Sequence, residues 1–314
     1  KATADNATAL GKKATASGLD SIAAGATANA SGTDSIATGH NANATGANAV
    51  ATGANASAAG NAVATGANAS AAGNAVATGT NASAAGNAAA YGDNSKATGG
   101  WSSAFGNESK ATATDASAFG NSANAGGVNS TAIGSHSTVT AKDGSALGNN
   151  ASVSAEGGVA LGQGSSSSRT ALNKNKVKIT AGHVEDSEGI SQNDDNNKNG
   201  DVYAPVKLID KAEVLERVKN TIFGSAGAVS LGKDGETTRQ LTNLAPGSKD
   251  SDAVNVAQLK AVVGTIKHYN VTSKDGDITV NPDTTDPNKT VWDLKINPKY
   301  KIKYFSVKSE GGAN

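Results

Sequence analysis

The chain has 314 residues, carries 27 basic and 27 acidic side chains, and contains neither Cys nor Met. Only 4% is aromatic while 38 residues are Gly, which argues against an ordinary globular core. Balanced charge argues against a nucleic-acid partner, which needs clustered Lys and Arg to displace counterions. The lack of Cys fits an exported protein that avoids disulfide chemistry, and no apolar run approaches a membrane span or a signal sequence.

From Lys1 onward the chain is a tandem repeat. The line GANASAAGNAVAT at 53–65 recurs unchanged at 66–78 and as GTNASAAGNAAAY at 79–91. A glycine closes each unit, from Gly11, Gly25 and Gly39 through to Gly162, in steps of thirteen or fourteen residues and twelve units in all. Disordered Gly-rich segments keep no such register, and collagen would need Gly at every third residue. Charge avoids the repeat: residues 1–164 hold 14 of the 54 charged side chains, and none lies between Gly39 and Gly92.

Two positions before each closing glycine stands an alanine, from Ala9 and Ala23 to Ala146 and Ala160, without exception. A column that admits only a methyl group reads as the inside of a narrow structure. The next column is Leu10, Ala24, Thr38, Thr52, Thr65, Thr78, Tyr91, Phe105, Phe119, Ile133, Leu147 and Leu161, mostly apolar at both ends. Neighbouring residues of a strand point to opposite faces, so both faces of one sheet are predicted to be covered. One chain has one interior, and the second face therefore calls for another chain.

The other half of a unit, such as Asn55-Ala56-Ser57-Ala58, alternates small apolar with polar residues and predicts a strand with one wet face. Gly and Asn supply the corners. Two short strands and two tight turns per unit, stacked in parallel, predict a two-sheet solenoid. With strands roughly 4.8 Å apart, the stack is on the order of 55 Å long. Trp101, beside Gly99 and Gly100, departs from the pattern at a turn and is a candidate either for a packing plug or for an exposed ligand contact.

Units such as Asn129-Ser130-Thr131-Ala132-Ile133-Gly134, Asp143-Gly144-Ser145-Ala146-Leu147-Gly148 and Gly158-Val159-Ala160-Leu161-Gly162 resemble the YadA-like head repeat of trimeric autotransporter adhesins. The resemblance implies an all-β-dominated fold whose head, residues 1–164, is a left-handed parallel β-roll packed side by side in a homotrimer.

Composition changes over 165–227, read as an insert. Val177 and Ile179 predict a strand, and Lys207 to Phe223 predicts an amphipathic helix with Leu208, Ala212, Leu215, Val218 and Ile222 at helical spacing. Between them Asp195, Asn197, Asn199 and Asp201 form a weak candidate cation site, since the first half of a calcium-binding loop is present but its bidentate Glu position falls on Val206.

Over 228–266 the stretch Ala228-Val229-Ser230-Leu231-Gly232 repeats the head pattern once more. Arg239, Asn243 and Gly247, then Asp252-Ala253-Val254-Asn255-Val256-Ala257-Gln258-Leu259, closely resemble the neck of the same family. The resemblance implies that the neck narrows the head into a three-stranded coiled coil. Ser251 or Asp252 is expected to cap a helix, with Val256, Leu259, Val263 and Ile266 as the seam and Gly264 interrupting it. Residues 267–314 read as a small β-rich connector with strands at Tyr269 to Thr272, Ile278 to Asn281, Thr290 to Ile296 and Lys301 to Val307.

No catalytic constellation emerges: His40, His136, His183 and His268 fall in unrelated contexts, and neither a cofactor nor an enzymatic activity is expected. The recurring Asn-x-Ser/Thr sequons reflect recurring turns rather than glycosylation. An ice-binding face would carry the ladder Thr38, Thr52, Thr65, Thr78 throughout, and a hexapeptide acyltransferase helix would need coils of roughly eighteen residues.

The expected function is that of a surface adhesin segment of a Gram-negative bacterium, binding extracellular-matrix proteins such as collagen, host cells or other bacteria; the alternative is a spacer with no ligand of its own. The chain starts at Lys1 inside a repeat, so it is expected to be part of something longer, with any membrane attachment through an anchor outside it.

Overall fold

A computed structural model describes residues 1–171, 226–249, 251–265, 278–283 and 291–296. The chain divides into two units, Lys1–Asn243 and Leu244–Asn314. In the first, strands alternate strictly between two parallel sheets. Strands mostly of three residues, such as Val63–Thr65, build a thirteen-stranded sheet, and strands mostly of two, such as Lys96–Ala97, build a twelve-stranded sheet. Equivalent residues of successive coils stand side by side: Ala118 pairs with Ala132 and Ala132 with Ala146. This is the two-sheet solenoid expected from the period.

The interior is lined with methyl groups. The column from Ala23 to Ala160 is fully buried, and the short strands add a second pair per coil, such as Ala56 and Ala58, at 0% exposure. Ala9 is only partly buried. Each methyl-sized group removed from water contributes about 0.8 kcal/mol, so a single coil cannot offset the entropy of ordering its residues and the stack is stable only collectively.

Interior volume is conserved from coil to coil. Where the short strands carry Val139 and Val153, among the largest buried side chains, the turn ahead of the long strand becomes Gly144 or Gly158. A Cβ on Gly144 would stand 2.7 Å from Val139 Cγ1, and one on Gly158 would stand 3.2 Å from Val153 Cγ1. At several corners serine replaces alanine and its hydroxyl donates to a carbonyl three residues back, as from Ser21 to Gly18 (2.6 Å) and from Ser102 to Gly99 (2.7 Å), whereas the equivalent hydroxyls of Ser35 and Ser130 are buried without a partner.

The roll continues past residue 164. Ser166–Ser167 joins the short-strand sheet and Val229–Ser230 pairs with Val159 and Ala160 in the long-strand sheet. Between them the chain leaves and returns at one corner. The Ala228 amide donates to the Arg169 carbonyl at 2.9 Å, as Gly158 does to Ala155 at 3.0 Å one coil earlier. Gly227 donates to Glu156 at 3.0 Å, as Gly157 does to Lys142 at 3.0 Å. Residues 170–225 thus stand where the preceding coil has a single peptide bond, between the equivalents of Arg169 and Ala226. Deleting them and joining Arg169 to Ala226 is expected to leave the β-sheet circular dichroism and thermal midpoint of the roll unchanged. Loss of the transition would show that the segment is part of the roll's stability.

In the second unit an α-helix spans Val256–Thr265, with Gly264 one residue before its end. Ile278–Asp283 pairs antiparallel with Val291–Ile296, matching the two strands expected there. No helix among the described residues is long and apolar enough to cross a membrane. The strand at 177–179, the helix at Lys207 to Phe223, the strands at Tyr269 to Thr272 and Lys301 to Val307, and the seam residue Ile266 lie outside the described residues.

Candidate functional site

Three surfaces of the roll and neck differ from plain solenoid. The first is the outward face of the long-strand sheet. It carries the column from Leu10 to Leu161 and, two residues earlier on each strand, Thr8, Ile22, Ile36, Val50, Val63, Val76, Ala89, Ser103, Ser117, Thr131, Ser145 and Val159. In the single chain this face is open: Leu10 is 71% exposed, Ile133 42% and Leu161 46%. Tyr91, Phe105 and Phe119 stack along it with ring centroids 4.8 and 5.0 Å apart. A contiguous apolar face of this length signals an interaction surface. It is the face for which the repeat called for another chain.

The second surface is the pair of corner edges. Left-handed backbone recurs there, and Asn or Asp holds thirteen of the nineteen non-glycine positions of the roll that adopt it because a short polar side chain tolerates that conformation. Their amides form a ladder: Asn41 donates to Asn55 (3.2 Å), Asn55 to Asn68 (3.1 Å), Asn68 to Asn81 (3.1 Å) and Asn81 to Asn94 (3.0 Å). A second ladder links Asn48, Asn61, Asn74 and Asn87. Polar groups that satisfy one another this way offer little to a ligand.

Trp101 breaks the pattern. It occupies a left-handed position with φ 54°, where the next three coils place Asp115, Asn129 and Asp143, and it is 66% exposed. A bulky residue there costs roughly 1–2 kcal/mol and gains little burial in return.

The third is the neck. Gln163 and Leu231 lie at the end of the stack, where their carbonyls lack the next coil. In earlier coils the equivalent carbonyls of Asn149 and Leu147 accept from Gly164 and Gly162. Arg239 takes that place. Its Nη2 donates to the Gln163 carbonyl at 2.6 Å, and its Nη1 donates to the Leu231 carbonyl and to Ser165 Oγ at 3.0 Å. One guanidinium thus closes the open edge of a solenoid, which otherwise exposes unpaired backbone groups. Asn243 adopts φ 59°, a turn position.

Beyond it, Asn255 caps the helix. Its Oδ1 accepts from the Gln258 amide at 3.0 Å, and Gln258 Oε1 accepts from the Asn255 amide at 3.1 Å, a reciprocal capping box. Gln258 also reaches Gly247, accepting from its amide (3.1 Å) and donating to its carbonyl (3.0 Å), while Asn255 Nδ2 donates to the Leu244 carbonyl. The expectation that Ser251 or Asp252 caps the helix is therefore corrected: the neck folds back on Asn255, and Asp252 serves a different turn.

The Asp252 carboxylate accepts from the amides of Ser248 (2.9 Å) and Lys249 (3.0 Å). These bonds, Ser248 first, hold its pKa below the ordinary aspartate value. The contribution of a carboxyl depressed in this way is complete above the unfolded value and is lost as pH falls through the folded one. The neck is therefore expected to lose thermal stability on acidification below the usual aspartate range, measured by helical circular dichroism. Asp252→Asn should start lower at neutral pH and respond less to acid; an identical acid response would remove Asp252 from the turn's stability. Ala253, Val254, Val256 and Leu259 are exposed in the single chain.

The sequence matches the family described as YadA head domain repeat at residues 2–28, 30–56, 97–121, 111–137 and 140–165. It matches the coiled stalk of trimeric autotransporter adhesin at 240–282. Head repeat and stalk occur here in one chain and in that order. The chain belongs to the trimeric autotransporter adhesins.

Two adhesin relatives are autotransporter adhesin BadA of Bartonella henselae, 42% identical over 87 residues, and trimeric autotransporter adhesin AtaA of Acinetobacter sp. (strain Tol 5), 45% identical over 80 residues. These alignments cover 26% and 24% of this chain but only 3% and 2% of the relatives. A solved structure, the collagen-binding domain of Yersinia adhesin YadA, aligns over 83% of this chain and 99% of its own at 22% identity and a TM-score of 0.30. The strand pairing above, rather than that likeness, defines the adhesin fold here.

The candidate cation residues Asp195, Asn197, Asn199 and Asp201 of this adhesin lie outside the described residues. Among the described residues no group of three or more His, Asp or Glu side chains could hold a metal ion. Arg239 as the roll's closing group was missed by sequence reasoning, which placed it only by family resemblance. The available signal was position: it is the first arginine after the repeats resume at Ala228.

Proposed function

We propose that this chain is a non-enzymatic passenger segment of an adhesin displayed on the surface of a Gram-negative bacterium. It acts as a homotrimer that attaches through the outer surface of its head to extracellular-matrix protein, host cells or other bacteria. Head repeats followed by an adhesin stalk in one chain carry this reading. The open apolar face of the long-strand sheet supports the trimer, because a free chain would leave it in water. Three copies of a weak surface gain avidity without a deep pocket.

Light scattering on the purified chain should give three times 30.7 kDa, and a stable monomer would refute the trimer. Trp101 is the residue to test for binding, since its strained, exposed position is poorly explained by stability alone. Trp101→Asn is expected to stabilise the roll by about 1 kcal/mol and to weaken adhesion on a panel of collagen, other matrix proteins, host cells and bacterial cells. Unchanged adhesion would remove Trp101 as a contact.

The self-satisfied Asn ladders support a second reading for the stretch 53–91, that of a spacer lifting the contact-bearing coils. Failure of the parent chain on every surface of that panel would favour the spacer for the whole segment.

A further inference from the structure

The outward face of the short-strand sheet is uncharged except in two neighbouring coils. There Lys96 and Thr98 flank the buried Ala97, Lys110 and Thr112 flank the buried Ala111, and all four flanking side chains are exposed. The column that holds the lysines is Ser, Thr or Asn at every other level from Thr15 to Ser166, and Lys96 stands against Lys110 in register. Neighbouring strands lie roughly 4.8 Å apart, and like charges set opposite one another destabilise a sheet. Neither ammonium has an ion-pair partner among the described residues.

The same coils carry a second uncompensated cost. Leaving the strand Lys96–Ala97, the chain passes Thr98, Gly99 and Gly100 and turns at Trp101, which is strained and exposed. One coil on, the Asp115 amide donates to the Gly100 carbonyl at 2.9 Å, so an exposed aspartate occupies the next level of the same corner. A Cβ on Gly100 would meet nothing within 4 Å, which leaves the approach to this corner open. Stability accounts for neither the lysine pair nor the tryptophan, and one short stretch brings them together.

We infer that this patch binds an acidic polysaccharide, a chain of sugar rings bearing carboxylate or sulfate groups. A pyranose offers an apolar C–H face that suits the flat ring of Trp101, and its rim hydroxyls can donate to the Asp115 carboxylate and bond to the hydroxyls of Thr98 and Thr112. Its anionic group is held by Lys96 and Lys110, whose mutual repulsion it relieves. Nucleic acid or an acidic peptide, charged at every step, would set anions against Asp115. The patch lies on the sheet opposite the apolar face, so the proposed trimer leaves it in solvent and presents it three times. The inference rests on the adhesin reading and gives its ligand a chemistry.

The test measures binding of the full chain to heparin, hyaluronan, neutral dextran and polyglutamate by calorimetry. The variants are Trp101→Asn, Lys96→Gln combined with Lys110→Gln, and Lys142→Gln as a lysine outside the patch. The first two are each expected to weaken binding of an acidic glycan by about tenfold while Lys142→Gln leaves it unchanged, and a preference for heparin or for hyaluronan separates sulfate from carboxylate. Removing the lysine pair should leave the thermal midpoint unchanged or raised; a lowered midpoint assigns the pair to the fold and overturns the inference. Equal binding of dextran or polyglutamate, or an equal loss in Lys142→Gln, overturns it as well. Adhesion to the surfaces of the panel without binding of either acidic glycan overturns the inference while the adhesin reading stands. Glycan binding by a chain that adheres to no surface overturns the adhesin reading and leaves the site.

Discussion

Gly106→Ala is expected to destabilise the roll by about 3 kcal/mol or more. Gly106 has φ 133°, a conformation that L side chains rarely adopt, and strain of that kind costs of order 1–3 kcal/mol. Space is the second term. A Cβ there would lie 2.4 Å from the Gly120 carbonyl oxygen and 2.6 Å from its carbon, and both belong to the backbone of the next coil. Relief would require the coils to separate, which would stretch the hydrogen bond from the Gly106 amide to the Tyr91 carbonyl or its equivalent above. Gly100 is the control: a Cβ there meets nothing within 4 Å and its φ lies outside the restricted range, so Gly100→Ala should stay within about 0.5 kcal/mol. Denaturant midpoints of the two variants decide the matter, and similar losses for both would mean that the closing glycine is not a steric requirement.

Ala132→Leu should destabilise by ~1–3 kcal/mol through overpacking. Ala132 is fully buried, its partners in register are Ala118 and Ala146, and valine is the largest side chain buried in the same interior. The two sheets are joined at both corners in every coil, so they cannot part locally to admit an isobutyl group. A leucine one position later, at Ile133, would face outward and should be tolerated by a single chain. A neutral outcome for Ala132→Leu would mean that the faces of the strand are reversed. The same comparison separates the two kinds of column that the repeat sets side by side.

These expectations bear on what a low-complexity adhesin segment can do. The coils from Gly53 to Tyr91 contain no charged side chain, their interior is methyl-lined, and their Asn ladders are internally satisfied. Such a stretch fits the spacer reading proposed above. Chemical individuality enters elsewhere: at Trp101, at the aromatic stack Tyr91–Phe105–Phe119, at the corner between Arg169 and Ala226, and at Arg239. The corner that admits residues 170–225 is also the one that loses a residue at Gly60, Gly73 and Gly86 and carries Trp101. Variation in length and bulk is thus concentrated on one edge of the roll, where solvent accommodates it.

Much of this architecture was legible because a short period leaves little freedom. A residue confined to alanine in every coil, next to one that varies in size, reports an inside and an outside through strand alternation alone, and Ala160 at 0% exposed beside Leu161 at 46% bears this out. The coil length set two strands and two corners, and the order of head repeat and neck named the family. Three features were decided only by the tertiary structure. The closing of the last coil across residues 170–225 depends on Arg169 and Ala228 meeting, a contact between positions far apart in the chain that no local pattern encodes. The choice of Asn255 over Asp252 as helix cap depends on where Gln258 and Gly247 come together, since both acceptors suit a cap by composition. The role of Arg239 depends on carbonyls left without a next coil, a property of the end of a stack. Repetition is visible in one dimension because each coil repeats the same local problem; where the repetition stops, backbone groups take whatever partner the fold brings within reach, and only the fold decides which.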